Sequence, residues 1–289
     1  MITSNPIDSE IPRELQEAWP GLDWPGADVV HGAFHRVIRF ATSSVIRLAS
    51  GTAHASRAES EFHNLETLSS LGLPLRIPIP LSGVHVFGLG SAYRTSFVHG
   101  EPLDDPEWEA VREPMATVLA ALHSAALPDG ARLRPLRDWC GGAAWPALVD
   151  RIARQLDDGL RRRATAVVEQ VLEVEQSIPH VVVHGDLGPH NLLFSDDDAF
   201  GLIDFDNACL GDPAIDIAPL IGIFGSAAVA DVADAETIRR GRVHRASLSL
   251  QVAAAAHLVG DEGLRDHALH NFANRVGAGT LYEPFPRAD

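Results

Sequence analysis

Two aspartates and an asparagine stand at the ends of short apolar runs in the middle of the chain. The run Val181–Val183 leads into His184-Gly185-Asp186-Leu187-Gly188-Pro189-His190-Asn191, where Asp186 and Asn191 are five positions apart. A carboxylate so placed can accept or orient the proton of a substrate hydroxyl, and an amide oxygen is a ligand for a hard divalent cation such as Mg2+. Phosphoryl transfer needs both. Thirteen residues beyond Asn191, a second apolar run (AFGLI) ends in Asp204. NLLFSDDD, between the two runs, reads as a hairpin that folds Asp204 back beside Asn191. One amide and one carboxylate oxygen could then share a metal bridging the outer phosphates of a nucleoside triphosphate. An isolated H-G-D would be read as a turn with a capping Asp. Here Asn191, Asp204, Gly211-Asp212-Pro213 and Asp216 follow it in order.

The order D-x-x-x-x-N and then a metal-binding Asp is that of protein kinases, where the second Asp opens D-F-G. HGDLGPHN followed by IDFDNACLGDPAIDIA resembles the aminoglycoside phosphotransferase family, in which H-G-D replaces H-R-D and the D-F-G glycine is usually absent. Asp206 holds that glycine's position here. The resemblance runs from about Val30 to Ile223. It implies a protein-kinase-like bilobal α+β fold, with a small β-rich N-lobe and a larger, mainly helical C-lobe. It also implies Asp186 as catalytic base, Asn191 and Asp204 as Mg2+ ligands, Asp216 as a buried carboxylate bracing the loop, and His184 and Asp206 as structural support. ATP or GTP would be the phosphoryl donor.

The chain has no lysine, which excludes any mechanism built on a catalytic lysine. By the resemblance, the cation clamping the α- and β-phosphates is Arg47 in SSVIRLAS, since Arg can hold phosphate bidentately. Its partner would be Glu61, in the frame of Leu65 and Leu68, with Glu59 the competing choice. The nucleotide-covering loop falls at His31–His35 and has Gly32 as its one glycine, far short of G-x-G-x-x-G. Phe97, Val98 and Gly100 resemble a purine-binding hinge, with a plain strand end as the alternative. His123, in LAALHS, is expected to be a packed histidine. His190 and His244 are likewise expected to serve packing or the surface.

The elements that must position these groups are legible in outline. HGAFHRVIRF and SSVIRLAS read as a hairpin turning at Ala41–Ser43, and Ala53–Ser70 as a helix ended by Gly72 and Pro74. A further strand pair ends near Phe97–Val98. Helices are expected at Pro106–Leu127, Trp145–Gln176, Ala227–Leu258 and Asp261–Val276. The division expected is residues 1–98 as a nucleotide-binding lobe and 99–289 as a catalytic and acceptor-binding lobe.

Composition narrows the partners. A net charge of −16 argues against a nucleic-acid phosphate backbone and would attract a cationic small substrate. Acidic residues at Glu101–Glu113 and Asp231–Glu236 could meet such an acceptor. The two cysteines, Cys140 and Cys209, lack C-x-x-C spacing, so neither a disulfide framework nor structural zinc is expected. No apolar run is long enough to span a bilayer, and the first residues do not read as a secretory signal, so a cytoplasmic protein, monomeric or homodimeric, is expected. VVHGDLG and the GDPA-x-D segment are most similar to phosphotransferases acting on cyclic-peptide antibiotics such as viomycin and capreomycin. The expected function is transfer to a hydroxyl of a small antibiotic, of tuberactinomycin or aminoglycoside type. A macrolide phosphotransferase and a metabolic kinase of choline or homoserine type are the neighbouring readings. A catalytically silent, nucleotide-binding pseudokinase is the reading of another class.

Overall fold

The structure is a computed structural model that describes residues 11–31, 35–41, 43–50, 54–88, 90–176, 178–195 and 200–284. Gly32, in the expected nucleotide-covering loop, lies outside the described residues.

Five antiparallel strands build the first lobe: β1 (Asp28–His31), β2 (His35–Phe40), β3 (Ser44–Ser50), β4 (His85–Phe87) and β5 (Gly90–Ser96), in the spatial order β1-β2-β3-β5-β4. Alternation along β2 and β3 sorts their side chains to two faces. Ile38, Phe40, Ile46 and Leu48 face a core closed by Leu15 of α1 (Arg13–Ala18) and by Trp24. The opposite face carries Val37, Arg47 and Tyr93 in one register row. Helix α2 (His54–Ser69) packs there through Ala58, Leu65 and Leu68, and Phe62 meets the Tyr93 ring edge-on at 5.7 Å. The lobe therefore presents Arg47 and Glu61 from two sides of one seam.

The second lobe is mainly helical, giving the bilobal α+β architecture expected. Helix α3 (Trp108–His123) buries Val111, Met115, Val118 and Leu122 in one core with Val182, Leu192 and Leu202 and with Ile217 and Leu220 of α6 (Ala214–Phe224). A second core joins α4 (Trp145–Ala153), α5 (Asp158–Glu175), α8 (Ala235–Val259) and α9 (Glu262–Gly277). Two expected helices are broken. The stretch Trp145–Gln176 divides before Asp157, whose carboxylate caps α5 by accepting from the amides of Gly159 and Leu160 at 2.8 and 2.9 Å. Ala227–Leu258 divides into α7 (Ser226–Val229) and α8, which Asp234 caps through the Thr237 amide at 2.7 Å. Apolar periodicity carries across both breaks, whereas the capping aspartates mark them. No helix among the described residues is long and apolar enough to cross a membrane.

Strand β6 (Val181–Val183) pairs with β9 (Cys209–Gly211), which the sequence reading leaves unassigned, and β7 (Leu192–Phe194) pairs with β8 (Phe200–Leu202). Just past β9, Asp212 is fully buried and anchors α8. It accepts from Arg240 Nε at 2.9 Å and from the Ala214 amide at 2.9 Å, and His244 Nε2 lies 3.3 Å away. Arg240 thus ties the β6–β9 strand pair to α8, and His244 is a network member rather than simple packing. Burial alone would raise the Asp212 pKa, but the bonds from His244, Arg240 and Ala214 outweigh it and hold the group at about 2.

A pKa depressed from the ordinary carboxylate range stabilises the fold in full above about pH 4, and that contribution is lost as pH falls toward 2. It corresponds to about 2 kcal/mol. Asp212→Asn is accordingly expected to be about 2 kcal/mol less stable than wild type at neutral pH. The gap should close between pH 4 and 2, as read by urea denaturation at each pH. A gap that does not change with pH would contradict this role.

Candidate active site

The loop after β6 is held by one buried carboxylate. Asp216, in the first turn of α6, accepts from the amides of His184 (3.1 Å) and Gly185 (2.9 Å), and its Oδ2 is 3.1 Å from His123 Nε2. His123, expected to be only packed, thus takes part in bracing the loop. His184 is itself buried, and its Nε2 lies 2.9 Å from the Ile203 carbonyl. A carbonyl only accepts, so Nε2 carries the proton and Nδ1 is free to accept from the Asp186 amide at 3.3 Å. His184 therefore joins the two segments that carry the chemistry and turns Asp186 outward, its side chain 48% exposed. Only glycine fits at 185: φ is +84°, and a Cβ would stand 2.5 Å from the Asn207 carbonyl oxygen.

The loop closes with a short turn over Pro189–Asn191, in which the Asn191 amide donates to the Gly188 carbonyl at 3.0 Å. The Asn191 side-chain nitrogen donates to the Asp186 carbonyl at 2.9 Å. The donor end of this buried amide thus serves the loop, and its oxygen is the end suited to a cation. Antiparallel pairing of Leu192 with Leu202 continues outward in a bond from the Ile203 amide to the Asn191 carbonyl at 3.0 Å. Asp204 therefore follows directly on the residue paired with Asn191.

Asp204 sits at φ +67°, ψ +56°, a left-handed conformation that costs a residue other than glycine roughly 1 kcal/mol or more and persists only where the surroundings enforce it. Asn64, buried on α2, donates to the carbonyls of Phe205 (3.2 Å) and Ala208 (2.7 Å) and accepts from the Arg134 amide at 2.8 Å. Arg134 Nη1 in turn donates to the Asp206 carbonyl at 2.8 Å. Neither Asn64 nor Arg134 was singled out from the sequence. The available signal was a polar residue on the core face of α2, between Glu61 and Leu65.

Three carboxylates converge on one guanidinium where the lobes meet. Arg47 forms an ion pair with Asp206, and its Nη2 lies 3.3 Å from Asp204 Oδ1. Glu61 is 4% exposed on the same seam, while Glu59 is exposed to solvent, so the fold brings only the former near Arg47. Burial works against the Arg47 cation, but Asp206, Tyr93, Asp204 and Glu61 raise its pKa further still. Burial and the neighbouring Glu61 and Asp204 carboxylates push Asp206 well above the usual carboxylate range despite Arg47. Glu61 is raised for the same first reason, burial, against the pull of Arg47, Arg134 and Arg57. Asp204, Asp206 and Glu61 offer the hard oxygens that Mg2+ takes, and a divalent ion among them would favour their charged forms against the burial that disfavours them. Among the described residues, no group of three or more His, Cys, Asp or Glu side chains is preformed as a metal cage. One or two protein ligands completed by phosphate and water is the usual Mg2+ arrangement.

Arg47, Glu61, Asp204 and Asp206 line a cleft of about 360 Å3 together with Val37, Val45, Phe97, Val98, Leu193 and Ile203. A largely apolar cleft with a few charged groups in its wall is the usual make-up of a small-molecule site. Phe97 and Val98 line it directly. The connection is pinned where Glu101 and Phe194 exchange both backbone bonds, at 3.0 and 2.9 Å. His190 also lines the cleft. Contact with the Asp186 carboxylate holds its pKa above the usual value, against the burial that lowers it.

Residues 28–250 match the phosphotransferase enzyme family. The chain is 31% identical over 273 residues to viomycin phosphotransferase of Streptomyces vinaceus, an alignment covering 86% of this chain and 93% of that protein. It is 33% identical over 156 residues to homoserine kinase of Allorhizobium ampelinum, covering 52% of this chain and 48% of the kinase. The GDP complex of aminoglycoside 2'-phosphotransferase-IIIa superposes with a TM-score of 0.69 at 15% identity, over 92% of this chain and 97% of that one. With the family match extending from the first strand of the N-lobe into α8, and a relative similar along nearly its whole length, the chain belongs to the phosphotransferase enzyme family and is a small-molecule phosphotransferase.

Proposed function

We propose that the chain transfers the γ-phosphate of ATP or GTP to a hydroxyl of a small cationic antibiotic, with a tuberactinomycin such as viomycin as the favoured acceptor. The observation that supports the reaction is that Asp186, Asn191 and Asp204 stand on one loop-and-hairpin unit, whose His190 and Asp204 line the cleft. The choice of acceptor is supported by similarity to viomycin phosphotransferase along most of both chains, where the similarity to homoserine kinases covers about half. The net charge of −16 favours a cationic acceptor. Availability of nucleoside triphosphates suits action in the cytoplasm.

In this reading residues 1–98 form the nucleotide lobe, with the base against Phe97 and Val98 and the phosphates toward Arg47, which Glu61 orients. Asn191 and Asp204 would hold Mg2+, which when bound neutralises and aligns the phosphate oxygens. Asp186 accepts the acceptor's hydroxyl proton. The acceptor oxygen bonds to the γ-phosphorus as the bond to the bridging oxygen breaks, and the nucleoside diphosphate leaves with the electron pair. His184 and Asp216 keep the Asp186 carboxylate at its post, and Asp206 anchors Arg47.

The test is nucleotide turnover with ATP and with GTP over a panel of viomycin, capreomycin, aminoglycosides, macrolides, choline and homoserine. Turnover confined to the cationic antibiotics, with protection of cells that express the protein, is expected. Turnover with homoserine or choline alone would assign a metabolic kinase instead. Nucleotide binding without turnover of any acceptor would assign a silent kinase.

A further inference from the structure

His190 is left over by the assignment above, yet its ring stands beside Asp186 at the edge of the cleft. Its Nε2 lies 3.9 Å from Asp186 Oδ2, in ion-pair range and about 1 Å beyond a hydrogen bond. The ring lines the cleft together with Asp204. Gly188 supplies the third observation. Its backbone is extended, at φ −145° and ψ 164°, which any residue adopts. A Cβ there would nevertheless stand 2.5 Å from Cε1 and 2.6 Å from Nδ1 of His190. The glycine thus leaves the imidazole its present place, and the His190 side chain, 59% exposed, would have to move if a Cβ were added.

We propose that His190 is a positioning residue for Asp186, donating from Nε2 to Oδ2 so that Oδ1 faces the acceptor hydroxyl. The proposal rests on the reading of Asp186 as the base. Asp186 needs such a partner because its side chain is half exposed and the bond that ties it to the loop comes from its backbone amide. Rotation about its last torsion would present the wrong lone pair to the acceptor, and small misplacements of a reacting group are costly in rate.

The experiment compares H190A, H190Q and G188A with the wild type, using the acceptor that the panel identifies. H190A and G188A are each expected to lower kcat about tenfold, with the nucleotide KM changed less than about twofold. H190Q, whose amide nitrogen reaches the place of Nε2, should keep most of the activity. In a D186N background H190A should add nothing further. An unchanged kcat in H190A, an H190Q as slow as H190A, or a loss that adds in full on D186N would each overturn the proposal. If D186N itself turned over like the wild type, the base assignment would fall and this proposal with it. A slow D186N beside a fully active H190A would sink only the present inference. Independently of any acceptor, the His190 Nε2 resonance of 15N-histidine-labelled protein should shift on D186N, and an unmoved resonance counts against the contact.

Discussion

Asp186→Ala is expected to lower kcat by about 10³-fold, within the range a positioned general base supplies, while leaving nucleotide affinity within about twofold of wild type. The separation follows from where the side chain lies. Asp186 projects from the loop about half exposed, whereas Arg47, Phe97 and Val98 line the cleft proposed for the nucleotide, whose lining does not include Asp186. The backbone bonds of the loop run through the amide and carbonyl of residue 186 and survive the substitution. Thermal stability should therefore change little. Steady-state turnover and calorimetric titration of the nucleotide, on one preparation, check both halves. A comparable loss of nucleotide affinity would show that Asp186 belongs to the donor site and not to the acceptor side.

Asp204→Ala should behave differently, losing both turnover and metal-dependent nucleotide binding. The wild-type site gathers Glu61, Asp204 and Asp206 around Arg47, with both Glu61 and Asp206 held above the ordinary carboxylate range chiefly by burial. Removing one of these oxygens takes away a ligand and part of the negative charge that draws the cation. The Mg2+ concentration for half-maximal activity is expected to rise at least tenfold, equivalent to about 1.4 kcal/mol of binding. Asp204→Asn separates chemistry from backbone: asparagine tolerates the left-handed conformation found at this position, so its fold should be the better preserved of the two. A metal requirement unaltered in both variants would contradict the assignment of Asp204 as ligand.

What the sequence disclosed and what it hid divide along one physical line. Strand β3, helix α2 and the β7–β8 hairpin depend on local alternation, turn residues and helix stops, and each stands close to its expected bounds, whereas HGAFHRVIRF holds the end of β1 as well as β2. The closeness of Asn191 and Asp204 in the fold is equally local, since a hairpin between them fixes the register. The supports are not local. Asn64 reaches Phe205 and Ala208, His123 reaches Asp216, and Arg240 reaches Asp212, each across a span of chain that no periodicity encodes. Helix breaks before Asp157 and Asp234 were hidden for another reason: apolar spacing persisted through them, and only the capping carboxylates gave them away. The difference between Glu59 and Glu61 lay in which face of α2 turns inward, and packing decided it.

The most direct test of the account is a crystal structure of the protein with Mn2+ and a non-hydrolysable nucleoside triphosphate, read by anomalous scattering. A metal peak is expected about 2.0–2.3 Å from both the Asn191 amide oxygen and an Asp204 carboxylate oxygen, with the phosphates completing its shell. A metal seated elsewhere, or Asn191 and Asp204 turned from one another with a nucleotide bound between the lobes, would contradict it.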